Sequence, residues 1–360
     1  MIKNIEINHF KSISKLKVDD FKKINLIVGK NNASKTTILE AIFLSIGASN
    51  PQLVLNINNL RGLILGQSDD FRYIFYNLEY ENKIIIKTVI DNQIRTITIQ
   101  PSVSTKNISP TIRSVNNQND LQSGNFSNIS NNSYDELTIN FSLKEFQEKL
   151  KHFTSKVSFS SSKGFEVENV KNYKEKYNGI FITSKTSFSS NLINALENLI
   201  IKKNEKNLIG YLSKIDKGIV DIKLGSNQLI YFDVGLARLI PANLIGDGVL
   251  KLMNILLAIM EFKIVLIDEI DNGLHFSALK DLWRLIFKVS SDYGTQLFIT
   301  THDFETLKCL KEVLEEEDYD RYQDEIRSYT IVKNNKNDLN IYKYNFKEFE
   351  YSINQGIEIR

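Results

Sequence analysis

Apolar positions over residues 2–28 alternate in the manner of strands, with Ile2, Ile5 and Ile7 in a first segment and Ile24, Leu26, Ile27 and Val28 in a second, more continuously apolar one. A run of the second kind predicts a strand covered on both faces. The polar stretch 29–37 interrupts the pattern, and Ile38, Leu39, Ala41, Ile42 and Leu44 resume it at helical spacing. The predicted order is therefore strand, polar loop, helix. Strand signals return over 73–80 and 83–99, with a turn at 81–82 that makes a meander. Segments 137–153 and 191–213 read as helices, the second with an apolar side, and no heptad is sustained that would predict a coiled-coil arm. Short strands follow at 219–224 and 228–233. A helix over 249–261, apolar nearly all round, is expected to be buried. Beyond it come a strand at 264–267, a helix at 275–289, a strand at 296–300 and a helix at 304–316; a hairpin over 326–333 and 339–344 and one short helix close the chain. Strand and helix in alternation predict an α/β fold with a covered, mainly parallel sheet, accompanied by the antiparallel meander and a helical middle lobe.

Composition adds one boundary and several exclusions. Between residues 102 and 134, 8 Ser and 8 Asn occupy 16 of 33 positions, and such a stretch buries too little apolar surface to offset its ordering entropy, so a mobile insertion is expected over about 101–135. The expected organisation is 1–100, the insertion, a mainly helical lobe at 136–216, and 217–360. With 45 Lys+Arg against 43 Asp+Glu the formal net charge is +2, which argues against a uniformly basic nucleic-acid coat. A single cysteine, Cys309, excludes a disulfide framework and a cysteine zinc site, and the four scattered histidines show no metal-ligand spacing. The N-terminus lacks the apolar run of a signal peptide, and the most apolar stretch, 252–262, is too short to span a membrane. A cytoplasmic protein without membrane contact is expected.

Chemistry concentrates at three apolar-strand exits. Gly29, Lys30, Asn31, Asn32, Ala33, Ser34, Lys35 and Thr36 stand where a phosphate-binding loop belongs, directly after a strand and before a helix. The full pattern has glycine where this chain has Ser34. Backbone N–H groups and the helix N-terminus face the phosphates in such a loop, Lys35 neutralises the β and γ oxygens, and the Thr36 hydroxyl is suited to Mg²⁺. Ser34 is tolerable there if its backbone is helical and its hydroxyl acts locally as a cap. The second exit, after 264–267, carries Asp268, suited to hold Mg²⁺, and Glu269, suited to orient or deprotonate an attacking water. The third carries Thr300, Thr301, His302 and Asp303, where His302 is placed to meet a γ-phosphate. Open α/β sheets gather ligands at strand C-termini, which makes the three exits a constellation.

These residues resemble an ABC-type, P-loop ATPase of the RecF/SMC/overcoming-lysogeny-defect branch, often grouped as AAA-like. The resemblance rests on Ile-Glu-Ile-Asn-His-Phe-Lys-Ser-Ile at the start, Gly-Lys-Asn-Asn-Ala-Ser-Lys-Thr-Thr through Thr37 with Leu39-Glu40-Ala41 after it, and Leu-Ile-Asp-Glu-Ile-Asp-Asn-Gly-Leu-His around Asp268, covering about the first 100 residues and 230–310. It implies an ATPase head using ATP and Mg²⁺, with 271–275 as the loop that crosses a dimer interface and 244–248 as the signature segment. Gly246, Asp247, Gly248, Lys251 and Asp271 would then contact nucleotide bound to the other copy of a head-to-tail homodimer, with Lys251 supplying charge where Ile245 replaces a serine. Gln67 is the candidate for the family's glutamine loop. Relatives often add a C-terminal TOPRIM nuclease domain, for which 360 residues leave no room. The resemblance therefore implies an ATPase that regulates a separate effector, such as a TOPRIM-like nuclease, in bacterial anti-phage defence. The alternative it leaves open is a RecF-like, DNA-binding repair ATPase, for which Lys202, Lys203 and Lys206 are the visible basic candidates; a nucleotide-binding switch without turnover is a third.

Overall fold

Three largely apolar segments become the middle of a six-stranded sheet. In a computed structural model, which describes residues 1–103, 134–145, 148–183, 189–334 and 338–356, strands β3 (Ile24–Val28), β13 (Ile264–Ile267) and β14 (Gln296–Thr301) are buried along their whole length. The sheet order is β16 (Leu339–Tyr344), β15 (Ile326–Lys333), β3, β14, β13, β9 (Gly179–Ile182), with every pairing parallel except that of the edge strand β16. Successive side chains on a strand point to opposite faces, so each of these strands feeds two cores. Leu26, Val28, Val265, Ile267, Leu297 and Ile299 pack with α5 (Asp247–Glu261), α6 (Leu279–Tyr293) and α7 (Phe304–Leu314). Ile27, Leu266 and Phe298 face the other way, against α1 (Lys35–Ile46) and a second sheet.

That second sheet is antiparallel and seven-stranded, in the order β2 (Ile13–Val18), β1 (Ile2–Phe10), β4 (Ile84–Ile90), β5 (Gln93–Ser102), β6 (Glu136–Glu145), β7 (Lys151–Ser160), β8 (Gly164–Glu168). Gln296 staples the sheets together: its amide accepts from the N–H of Ile2 at 2.7 Å and donates to the carbonyls of Ile2 at 2.8 Å and Lys22 at 2.9 Å. A small sheet of β10 (Asp221–Leu224), β11 (Ile230–Asp233) and β12 (Ile240–Pro241) precedes α5.

Several expectations change. Segment 137–153, read as a helix, is strand throughout β6 and into β7, because Leu137, Ile139, Phe141 and Leu143 recur with period two and are all buried on one face. The lobe at 136–216 is therefore strand before it is helix. Segment 73–80, read as a strand, lies in 3₁₀ turns at Ser68–Ile74 and Tyr76–Leu78, since Asn77 and Leu78 take positive φ and end any extended run. The helix expected over 191–213 is split into α3 (Ser190–Ile201) and α4 (Glu205–Leu212) where Lys203 turns left-handed and the N–H of Asn204 reaches back to the carbonyl of Leu199 at 2.8 Å. Strand β9, a four-residue edge strand, gave no readable pattern. The Ser/Asn-rich insertion falls almost wholly outside the described residues. Among the described residues, no helix is long and apolar enough to cross a membrane.

Candidate functional site

Strand β3 runs straight into the loop 29–34 and then α1, so the loop's backbone is fixed at both ends. Gly29 sits at φ 154°, and a Cβ built on it would lie 2.7 Å from the backbone oxygen of Ile331 on neighbouring β15. Only glycine fits there. Lys35, 8% exposed, curls the loop around its ammonium by donating to the carbonyls of Gly29 at 2.7 Å and Lys30 at 3.0 Å. Burial holds its pKa below the ordinary lysine value, against the opposing pull of Asp268, Glu269 and Asp271. Over the loop opens a cavity of about 540 Å³, lined by residues 31–37 together with Asp268 and Glu269.

The parallel register sets the second and third exits beside the loop, since β14 lies between β3 and β13, and of these two exits Asp268 and Glu269 line the cavity. Thr36 Oγ1 donates to the Asp268 carboxylate, 3.0 Å from either oxygen, and Thr300 Oγ1 donates to Asp268 Oδ1 at 2.7 Å. Glu269 adopts φ 50°, a left-handed conformation that a glutamate takes only when its surroundings impose it. Those surroundings are visible: its N–H donates to Thr300 Oγ1 at 2.9 Å and its carbonyl accepts from Lys251 Nζ at 2.6 Å. The Glu269 side chain stays open to the cavity, and His302 Nδ1 stands 4.0 Å from Glu269 Oε1, beyond hydrogen-bond reach. Asp271 accepts from Thr301 Oγ1 at 2.5 Å. Thr36 and Asp268 present only hard oxygen donors at the edge of a phosphate-sized cavity, which fits Mg²⁺. Among the described residues no three His, Cys, Asp or Glu side chains form a metal cage. Mg²⁺ requires none, because one or two protein oxygens suffice beside phosphates and water.

Residues 24–308 match the protein family described as "AAA domain, putative AbiEii toxin, Type IV TA system". The chain belongs to this family of AAA-type ATPases. It is also similar to an "ATP/GTP phosphatase" of Helicobacter pylori, 27% identical over 354 residues, covering 89% of this chain and 90% of that protein. A shorter match, 40% identical over 82 residues, is to the uncharacterized protein MJECL10 of Methanocaldococcus jannaschii and covers 23% of this chain and 37% of that one. A solved Smc head domain bound to the C-terminal domain of ScpA, from Pyrococcus furiosus, superposes with a TM-score of 0.49 and 11% identity over 98% of each chain.

Within this AAA-type head, Gly246 and Asp247 are exposed at the N-terminus of α5 and do not line the cavity. Gly248 lies against the segment after Asp271, where an added Cβ would meet the Gly273 carbonyl at 3.4 Å. Lys251 departs from its expected role. It is 2% exposed, and its ammonium donates to the carbonyls of Glu269 and Asn272, both at 2.6 Å, so it braces its own chain and is not available to a second copy. Ser34 departs too: its backbone is left-handed, with φ 66° and ψ 17°, and its hydroxyl forms no helix cap but meets Ser12 Oγ at 2.8 Å. Gln67 lies in a local turn, its N–H donating to Asp70 at 3.0 Å, and does not line the cavity.

Other site residues were not legible as such. Lys11 and Ser12, at the tip of the β1–β2 hairpin, and Arg61, just beyond α2 (Leu53–Asn59), all line the cavity. Glu40 on α1, 1% exposed, accepts from Lys11 Nζ at 3.0 Å and from Arg61 Nε at 2.7 Å. Burial pushes Lys11 down to about 8 despite the Glu40 carboxylate beside it. The opening Phe-Lys-Ser and the Leu-Glu-Ala of the resemblance contain three of these residues, but linear sequence does not show that they meet.

Proposed function

We propose that the protein binds ATP in the cavity over residues 29–37 and hydrolyses it to ADP and phosphate. The observation that carries this reading is the convergence of Thr36, Asp268 and Thr300 from three adjacent strand exits beside a lysine-centred loop. Lys35 and the backbone N–H groups of residues 30–37 take the phosphates, an arrangement that helix N-termini favour. Thr36 and Asp268 would hold Mg²⁺, which neutralises phosphate charge when bound. Glu269 accepts a proton from the water that attacks the γ-phosphorus, and the bond to the ADP oxygen breaks as the new P–O bond forms. His302, beside Glu269, is placed to register whether the γ-phosphate is present.

The same reading makes the protein a head-to-tail homodimer on ATP. Gly246 caps and Asp247 begins a 15-residue helix, and both are exposed outside their own cavity, which supports a role for them in meeting an anion held by a second copy. Gly248 and Asp271 complete that face, and 1–100 with 217–360 form the two halves of one head. Nucleotide would act as the ligand favouring the closed dimer. The toxin–antitoxin wording of the family description supports a regulatory ATPase with a separate effector, of which a TOPRIM-like nuclease in anti-phage defence is the form proposed. Co-purification with the product of a neighbouring gene tests that step, and a chain that purifies alone from its native host contradicts it.

The chemical step has its own test. E269Q should retain ATP binding while turnover falls by roughly 10²–10⁴-fold, the loss expected with a general base. Phosphate release at the wild-type rate would remove Glu269 from the mechanism.

A further inference from the structure

At the position where the phosphate-loop pattern has glycine, this chain has a serine in the left-handed conformation that glycine favours. The position is not simply a tolerated defect, because three hydroxyls and a guanidinium form a chain there with a defined direction. Arg61 Nη2 donates to Thr37 Oγ1 at 3.1 Å. Thr37 Oγ1 lies 3.2 Å from Ser12 Oγ, and Ser12 Oγ donates to Ser34 Oγ at 2.8 Å. A hydroxyl has one proton to give. Ser12 gives its proton to Ser34, so Thr37 must be the donor in the Thr37–Ser12 contact. A guanidinium only donates, so Thr37 receives from Arg61 and keeps its own proton for Ser12. All protons run one way, from Arg61 through Thr37 and Ser12 to Ser34. The Ser34 oxygen accepts from Ser12, which leaves its own O–H as the end of the chain, with no acceptor for it among the described residues. Ser12, Ser34 and Thr37 all line the cavity, next to Lys35.

We infer that the Ser34 hydroxyl is a phosphate donor, aimed by Ser12, and that Ser12 is a positioning residue acting through Ser34. This rests on the reading of the cavity as an ATP site. The chemistry suits a polyphosphate oxygen: a short O–H donor adds a hydrogen bond to an anion without adding charge to a loop that already holds Lys35. The chain's starting end is also fixed. Arg61 is held by the buried Glu40 carboxylate, through Nε at 2.7 Å and Nη2 at 2.9 Å, and the hairpin tip carrying Ser12 is anchored by the Lys11 N–H on the Ile74 carbonyl at 2.9 Å. Glycine at position 34 would relax the backbone but would end the chain at Ser12.

The test is a double-mutant cycle on the full chain, reading the ATP dissociation constant and the split between KM and kcat. S12A should weaken ATP binding about tenfold, as expected for one hydrogen bond to a charged group, with most of the change in KM. S34G should weaken it comparably. S12A placed on S34G should then add nothing, because Ser12 acts only through the missing hydroxyl. S12T, which keeps the hydroxyl, should restore most of the loss. Additive effects of S12A and S34G, or wild-type affinity in either single variant, would overturn the inference while leaving the ATPase reading intact. A wild-type chain that binds no ATP would overturn both.

Discussion

Gly29 and Glu269 show two ways in which a single position is fixed by its neighbours. At Gly29 the constraint is space, since any Cβ would collide with the Ile331 carbonyl oxygen. G29A should cost about 1–3 kcal/mol, the usual range for overpacking, and should abolish ATP binding because the loop is displaced from Lys35. Denaturant titration and nucleotide binding together check this, and an unchanged midpoint would contradict it. At Glu269 the constraint is a left-handed backbone braced by Lys251 and Thr300. K251M leaves two carbonyls without their donor and should destabilise the chain by about 2–3 kcal/mol. Burial lowers the Lys251 ammonium to about 8, against the opposing pull of Asp271 and the neighbouring carboxylates. Because the unfolded chain keeps that proton up to the ordinary lysine value, the unfolded state holds more protons than the folded one above pH 8. The stability advantage of wild type over K251M should therefore grow between about pH 8 and 10. A gap that is flat or shrinks over that window, measured in urea, would contradict the assignment. Lys35, Thr36, Asp268 and Glu269 were legible because each sits beside a strand exit in the chain itself. Ser12, Arg61 and the bracing role of Lys251 were not, because each acts on a residue at least 18 positions away and linear spacing carries no trace of the contact.

The elements that hold the site were legible where one period dominates and illegible where two compete. Strands β3, β13 and β14 are buried on both faces, so no solvent-facing period competes with the strand reading, whereas the placing of β14 between β3 and β13 does not follow from their order in the chain. In β6 the alternating Leu137, Ile139, Phe141 and Leu143 fit a strand, but a window extended to 153 gathers enough further apolar positions to imitate a helix. Pairing with β5 along ten residues decides the matter, and that partner is distant in sequence. Arg95 on β5 shows why the antiparallel sheet matters to the phosphate loop. Fully buried, it donates to the carbonyls of Ser45 at 2.9 Å and Ile46 at 3.0 Å, the last turn of α1. Its other side donates to Glu175 at 2.7 Å and to the Tyr173 hydroxyl at 3.0 Å, just before β9. A cation at a helix C-terminus also complements the helix dipole. The helix that begins at Lys35 is thus anchored at its far end to the second sheet and to the edge of the first. R95M should lower stability by about 2–4 kcal/mol, the cost of leaving a partly buried carboxylate and two carbonyls unpaired. A loss under about 0.5 kcal/mol in urea unfolding would show that the anchor is dispensable.

At the scale of the whole molecule, the phosphate loop and its carboxylate partners are separated by 232 positions between Thr36 and Asp268 yet share one hydrogen bond. The intervening chain builds strands β4 to β8 of the second sheet, β9, the α3–α4 pair and the small sheet before α5. One site residue set faces the cavity, while Gly246 and Asp247 are exposed outside it. The central proposal is that these two surfaces meet between two copies, with ATP as the bridge. Light-scattering mass of E269Q, with and without ATP and Mg²⁺, tests it most directly, because this variant should hold ATP without consuming it. The mass should rise from that of one chain, 41.4 kDa, to twice that value on adding nucleotide. A mass of one chain under conditions where bound ATP is demonstrated would contradict the composite site.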